Sequence, residues 1–176
     1  MASAPLILTL VLDDVSQAFF NRARQQWFPE RLNFIGAHVT MFHHLPGEQV
    51  AAIQQLLATV CAAQAPCPVT VNAVRSLGRG VAYGLRAPEV ELLRMRLASH
   101  WRDVLTAQDR QAWRPHVTVQ NKVSPAEARG LLMHVSESFT PFAATATGLA
   151  LWWYRGGPWE SACVMPFSGD TRVSER

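Results

Sequence analysis

Apolar and polar positions along the chain change period several times, and each change marks an element. The opening run "LILTLVL" is β-rich and unbroken, which predicts a buried strand. Asp14 then stands where it would cap a helix running to about Trp27, with Val15, Phe19, Ala23 and Trp27 spaced by four. "AHVTMFH" alternates like a strand. "EQVAAIQQLLATVCAA" carries Val50, Ile53, Leu57 and Val60 on one helical stripe, and "PVTVNAV" reads as a strand again.

From Gly80 the same order returns. "GVAYGLRA" is strand-like, and Pro88 opens a helix whose apolar face is Val90, Leu93, Leu97, Trp101 and Val104. "RPHVTVQ" is a strand, while Ser124, Pro125 and Glu127 form a capping box that starts a helix through about Phe139. The long strand "FAATATGLALWWYR" follows. "PWESACVMPF" predicts a closing strand near 159–167, and the polar "SGDTRVSER" predicts a loose tail.

Both halves therefore read strand, helix, strand, helix, strand. The pattern predicts one domain spanning 1–176 with an internal duplication, about 6–76 and 80–155. A period this long is outside the range of a solenoid, about 20 to 50 residues, so two related lobes are expected. About a pseudo-two-fold axis, equivalent positions of the two lobes would face each other across a cleft.

The tripeptide His-Val-Thr occupies the middle strand of each half, at His38 and at His116. In a strand, residues i and i+2 share a face. His38 thus stands beside Thr40, and His116 beside Thr118, each pair backed by buried valines. Two opposed imidazoles suit acid/base catalysis at phosphorus, since a ring of ordinary pKa near 6.5 serves as base when neutral and as acid when protonated. The threonine hydroxyls can donate to phosphoryl oxygens where charge accumulates. Two half-buried structural histidines, satisfied locally, are the plainer alternative.

Composition narrows the classes. Nearly half of the 176 residues are apolar and 16% are charged, which is a globular balance. The first apolar run is too short to cross a bilayer and lacks basic residues before it, so neither a membrane segment nor a signal peptide is expected. Three cysteines without CxxC spacing point to reduced thiols and a cytoplasmic setting. A net charge of +3, carried by arginine except for Lys122, gives a mild bias toward anions. No GxGxxG, Walker A or GxSxG motif is present.

The paired "HVT" strands, the proline in "RPHVTV", the repeated element order and "RGGPWESACVMPF" resemble the 2H phosphoesterase superfamily, in particular its bacterial 2′-5′ RNA ligase-like branch. That resemblance implies an α+β bilobal fold, with mainly antiparallel sheets lining a central cleft and helices outside. It implies action on 2′,3′-cyclic phosphates or 2′-5′ phosphodiester bonds in RNA or nucleotides, with no metal or other cofactor. By position, His38 resembles the general acid, His116 the base, and Thr40 and Thr118 the phosphate-binding hydroxyls. Met41 and Val119 stand where leucine is frequent in the family, and "GA" replaces proline before His38.

The expected partners are RNA 3′ ends or nucleotides carrying a cyclic phosphate, met by a monomer without a membrane. Further substrate contacts are sought in Arg79, Arg114 and Arg155, near loop or strand ends, and in the cluster Trp152, Trp153, Tyr154 and Trp159, with Trp153 the leading aromatic. Alternation turns His44, rather than His43, toward the face of His38. A zinc site at these histidines lacks further ligands in any recognised spacing. The competing readings are a binding module that has lost turnover, and a phosphoesterase for a small cyclic phosphate outside RNA.

Overall fold

The computed structural model describes residues 3–170. Seven strands and four α-helices alternate as β1 (Leu6–Leu12), α1 (Asp14–Trp27), β2 (Val39–Leu45), α2 (Val50–Ala63), β3 (Cys67–Ser76), β4 (Val81–Arg86), α3 (Pro88–His100), β5 (His116–Gln120), α4 (Pro125–Ser138), β6 (Phe142–Trp153) and β7 (Glu160–Pro166). The class is α+β, as expected.

Every strand pairing is antiparallel, and the strands join in one sheet of order β2-β1-β6-β3-β4-β5, with β7 alongside β6. Matching β1, β2 and β3 with β4, β5 and β6 makes this order read the same from both ends. The sequence halves do not build separate sheets, however. β6 pairs with β1 of the other half, and β3 pairs with β4, so each half lends its last strand across the middle. The seam is the short β3–β6 pairing from Cys67↔Ala146 to Val71↔Phe142.

Helix faces follow from burial, with one rotation against expectation. The side chain of Asp13, not Asp14, caps α1 by accepting from the Ser16 amide at 2.9 Å, and it also takes the Thr145 amide of β6 at 2.7 Å. Val15 is then left 80% exposed, while Phe20, Ala23 and Arg24 turn inward. Phe19 and Phe20 make edge-on contacts with Tyr83 of β4, so α1 belongs to the far half of the sheet. α3 ends at His100 rather than continuing past Val104, and Trp101 just beyond it packs edge-on to Phe42 of β2 at 5.2 Å. α4 starts with the expected capping box, the Ser124 hydroxyl and the Glu127 carboxylate each bonding the other residue's amide.

The polar tail starts firmly attached. Ser168 and Gly169 donate their amides to the Cys61 and Gln64 carbonyls at 3.0 and 2.9 Å, closing the end of α2. The rest of it, 171–176, lies outside the described residues.

Candidate active site

His38 immediately precedes β2 and His116 opens β5, the two ends of the sheet order. Each ring is fixed in the same way. His38 Nδ1 donates to the Gly36 carbonyl at 2.8 Å, and His116 Nδ1 donates to the Arg114 carbonyl at 2.8 Å. A carbonyl only accepts, so in the neutral rings Nδ1 carries the proton and Nε2 keeps its lone pair. Equal geometry at both motifs leaves two free Nε2 atoms.

Two adjoining cavities connect these groups. One of about 590 Å³ is lined by Thr40, His43, His116, Thr118 and Asn121, with Arg114 and Trp113 at its wall. The other, about 280 Å³, is lined by His38, Arg24, Lys122 and Trp159 and shares Thr118 and Asn121 with the first. Thr40, His116 and Thr118 thus line the first cavity and His38 the second, with Thr118 and Asn121 bordering both.

The cleft disfavours protonated imidazole. Burial pushes His38 down to about 4, with the charges of Arg24 and His116 adding to the effect against the opposing bond to Gly36. His116 is lowered as well, mainly by burial and further by Arg75 and His43, while its bond to Arg114 opposes the shift. In the free protein both rings are thus neutral at pH 7.

Arg24 is the cation that the sequence reading missed. It is 4% exposed on α1, and Nε donates to Asn33 Oδ1 at 2.8 Å and the Ile35 carbonyl at 3.1 Å. Nη1 reaches the Thr118 carbonyl at 2.9 Å, and the guanidinium lies 3.9 Å above the Phe28 ring. Among the described residues no carboxylate pairs with it. Burial lowers it to about 10, which leaves it charged at neutral pH. Arg94 of α3 is its counterpart: Nε donates to the Met41 carbonyl at 2.9 Å. A buried arginine from each half thus holds the motif strand of the other.

Burial at an internal helical position in an otherwise polar "NRARQQ" offered a sequence signal only after the face of α1 was known. Arg75, on β3, escaped the sequence pattern as well. Its side chain lies over Gly84, where an added Cβ would meet Arg75 Cδ at 3.1 Å, and Gly84 pairs with His116.

The remaining expectations divide. Arg114 lines the cavity beside His116. Arg79 is exposed at the β3–β4 turn and borders none of the described cleft. Arg155 pairs with Glu160 at 2.9 Å and lies over Trp153, so its charge is spent on the surface. Trp153 itself packs beside Gly47, where an added Cβ would meet the indole at 2.9 Å, and lies on the strand face opposite Trp152. Its neighbours Trp152 and Trp159 take the cleft side. Trp159 lies 4.6 Å from the His38 ring, and both tryptophans line an apolar cavity of about 490 Å³ with Phe34, Ile35 and His38.

His43 corrects the alternation. The β1–β2 register runs from Thr9↔Thr40 to Leu8↔Phe42 and Leu6↔Leu45, so β2 carries two extra residues over this stretch. Met41 and Phe42 are consequently both buried, and His43 rather than His44 lines the cavity with Thr40.

The profile of the 2′-5′ RNA ligase superfamily matches residues 12–158, and this chain belongs to that family, within the 2H phosphoesterases. Curated proteins offer no match in sequence. Among solved structures, TT0787 of Thermus thermophilus is similar with a TM-score of 0.68 and 14% identity, covering 94% of this chain and 99% of that one. E. coli LigT complexed with 3′-AMP gives a TM-score of 0.62 at 17% identity, with 94% and 99% covered. LigT complexed with phosphate gives 0.55 at 18%, with 96% and 99% covered. At these identities the likeness is one of fold. No helix among the described residues is long and apolar enough to cross a membrane.

Proposed function

We propose that this chain is a 2H phosphoesterase that hydrolyses a 2′,3′-cyclic phosphate, on RNA or a nucleotide, between His38 and His116, using no metal. The same groups would serve a 2′-5′ phosphodiester bond. The observation that supports this reading is the matched fixing of both imidazoles: each Nδ1 is tied to a carbonyl two residues back, while His38 and His116 line neighbouring cavities that share Thr118 and Asn121. The duplicated arrangement of 6–76 and 80–155 in a single monomeric domain belongs to the same proposal.

In the forward direction His116 Nε2 takes a proton from water as its oxygen bonds to phosphorus. The bond from phosphorus to one ribose oxygen breaks, and His38 gives that oxygen its proton. Thr40, Thr118 and the unused Nη2 of Arg24 offer donors to the non-bridging oxygens. The acid needs a proton that the free protein does not hold at pH 7. An anionic phosphate between the rings favours that protonation, so substrate and proton arrive together. Trp159 and Trp152 beside His38 offer aromatic faces for the base of a nucleotide. That LigT has been crystallised with 3′-AMP supports a nucleotide over a small cyclic phosphate.

The test is hydrolysis of 2′,3′-cyclic nucleotides in the presence of a chelator. Turnover should persist there, follow a bell-shaped pH profile, and fall by about 10² or more in His38→Ala and in His116→Ala. Nucleotide binding without turnover would instead identify a binding module.

A further inference from the structure

Asp109 is a carboxylate with no exposure at all, held in the irregular segment between α3 and β5. Its two oxygens accept the backbone amides of His43, at 2.9 and 3.0 Å, and of His44, at 3.0 Å. They also accept the ring Nδ1 of His43 at 2.9 Å. Burial alone would raise Asp109, but these hydrogen bonds outweigh it and hold the carboxyl below its usual range. The amides alone would explain an acidic residue at the edge of β2. They do not explain the ring.

Burying a carboxylate is costly, and a well-packed apolar group often serves stability as well or better. Among the described residues, the only ion pair Asp109 makes is with an imidazole whose side chain is 43% exposed. With Nδ1 given to Asp109, the free nitrogen of His43 is Nε2. It makes no hydrogen bond to any described residue, and His43 lines the cavity that holds Thr40, His116 and Thr118. The bulged register of β2 is what brings the ring to this face.

We propose that His43 is a third imidazole of this site that contacts the bound phosphate through Nε2, with Asp109 as the positioning residue that aims it. The inference rests on the phosphoesterase reading for the identity of the bound group. Neutral, Nε2 accepts from a protonated phosphate oxygen or a ribose hydroxyl; protonated, it donates to a phosphoryl oxygen while Asp109 balances the charge. Asp109 resembles the orienting carboxylate of hydrolase triads in fixing which ring nitrogen carries the proton.

The probe is inorganic phosphate. Titrated into 15N-histidine-labelled protein, phosphate should perturb the ring resonances of His43 together with those of His38 and His116. His43→Ala keeps the amide bonds to Asp109 and should weaken phosphate binding about tenfold or more, the range for a lost hydrogen bond to a charged group. It should also reduce kcat/KM for a cyclic nucleotide. His44→Ala, which removes a ring outside this cavity, should change neither. Asp109→Asn should weaken phosphate binding and shift the His43 nitrogen resonances toward the other tautomer, a response that a purely structural residue would not give. A His43 ring silent to saturating phosphate, or His43→Ala with unaltered affinity and kcat/KM, would overturn the proposal. Wild-type protein that binds phosphate through His43 but hydrolyses no cyclic nucleotide would overturn the reaction while leaving this contact standing.

Discussion

His38 and His116 behave differently from histidines on a surface, and that difference is measurable without a substrate. His38 is held down to about 4 against an ordinary 6.5, and His116 is shifted the same way. Both rings bind protons more weakly folded than unfolded. Their neutral forms therefore support the fold fully above about pH 6.5, and that support is lost as pH falls below it, for His38 down toward 4, because the unfolded chain takes up more protons. For His38 the loss is on the order of 2 kcal/mol after allowing for partial exposure of the ring. Urea unfolding between pH 7 and 4.5 should show this slope, and His38→Gln should flatten it. A variant as steep as wild type would mean that His38 titrates normally. Asp13 and Asp109, both lowered, act in the same direction but only below the ordinary carboxylate range, so the two windows are separable.

The strand carrying the first motif shows what patterning reveals and what it hides. Alternation was enough to place His38 with Thr40, and His116 with Thr118, because regular strands keep side chains on fixed faces. It failed three residues later, where the extra residues in β2 put Met41 and Phe42 both inside and moved His43 to the cavity. A bulge leaves no reliable mark in a single strand's sequence, since it depends on the register with its partner. The edge of β2 was equally illegible. Asp109 takes its His43 and His44 amides, Arg94 gives to the Met41 carbonyl, and Trp113 Nε1 gives to the Thr40 carbonyl at 2.9 Å. These partners come from 53 to 73 positions away along the chain, beyond any local pattern. Together they occupy an edge that would otherwise offer free ladder groups to another chain. Trp113→Phe keeps the packing and removes one donor. It should lower unfolding free energy by about 1 to 2 kcal/mol and reduce kcat/KM, through a looser Thr40. Unchanged stability in urea would show that water replaces the indole at that carbonyl.

The exchange of β3 and β6 across the sheet makes the cleft a property of the entire chain. The sequence displayed the repeated order of elements, yet order along the chain carries no information about which strand neighbours which. Long-range pairing had to supply that. Its consequence is a convergence of charged and titratable groups from elements distant in sequence: Arg24 on α1, His38 and His43 by β2, Arg75 on β3, and His116 on β5, with Asp109 the buried anion behind His43. Burial, helped by the fixed positive charges of Arg24 beside His38 and Arg75 beside His116, makes the cleft of the free protein disfavour protonation of these two imidazoles. A tetrahedral anion bound there reverses the balance and draws protons in from solvent. Sulfate isolates the effect because it carries no proton near neutral pH. Calorimetric titration with sulfate at pH 6, in buffers of different ionisation enthalpy, should report net proton uptake approaching one per site, and less at pH 8. The uptake should shrink in His38→Gln and in His116→Gln alike, although the two residues lie 78 positions apart in the sequence. Sulfate binding with no buffer dependence would mean that the anion does not change the protonation of the rings, and the coupling of anion to proton would fail.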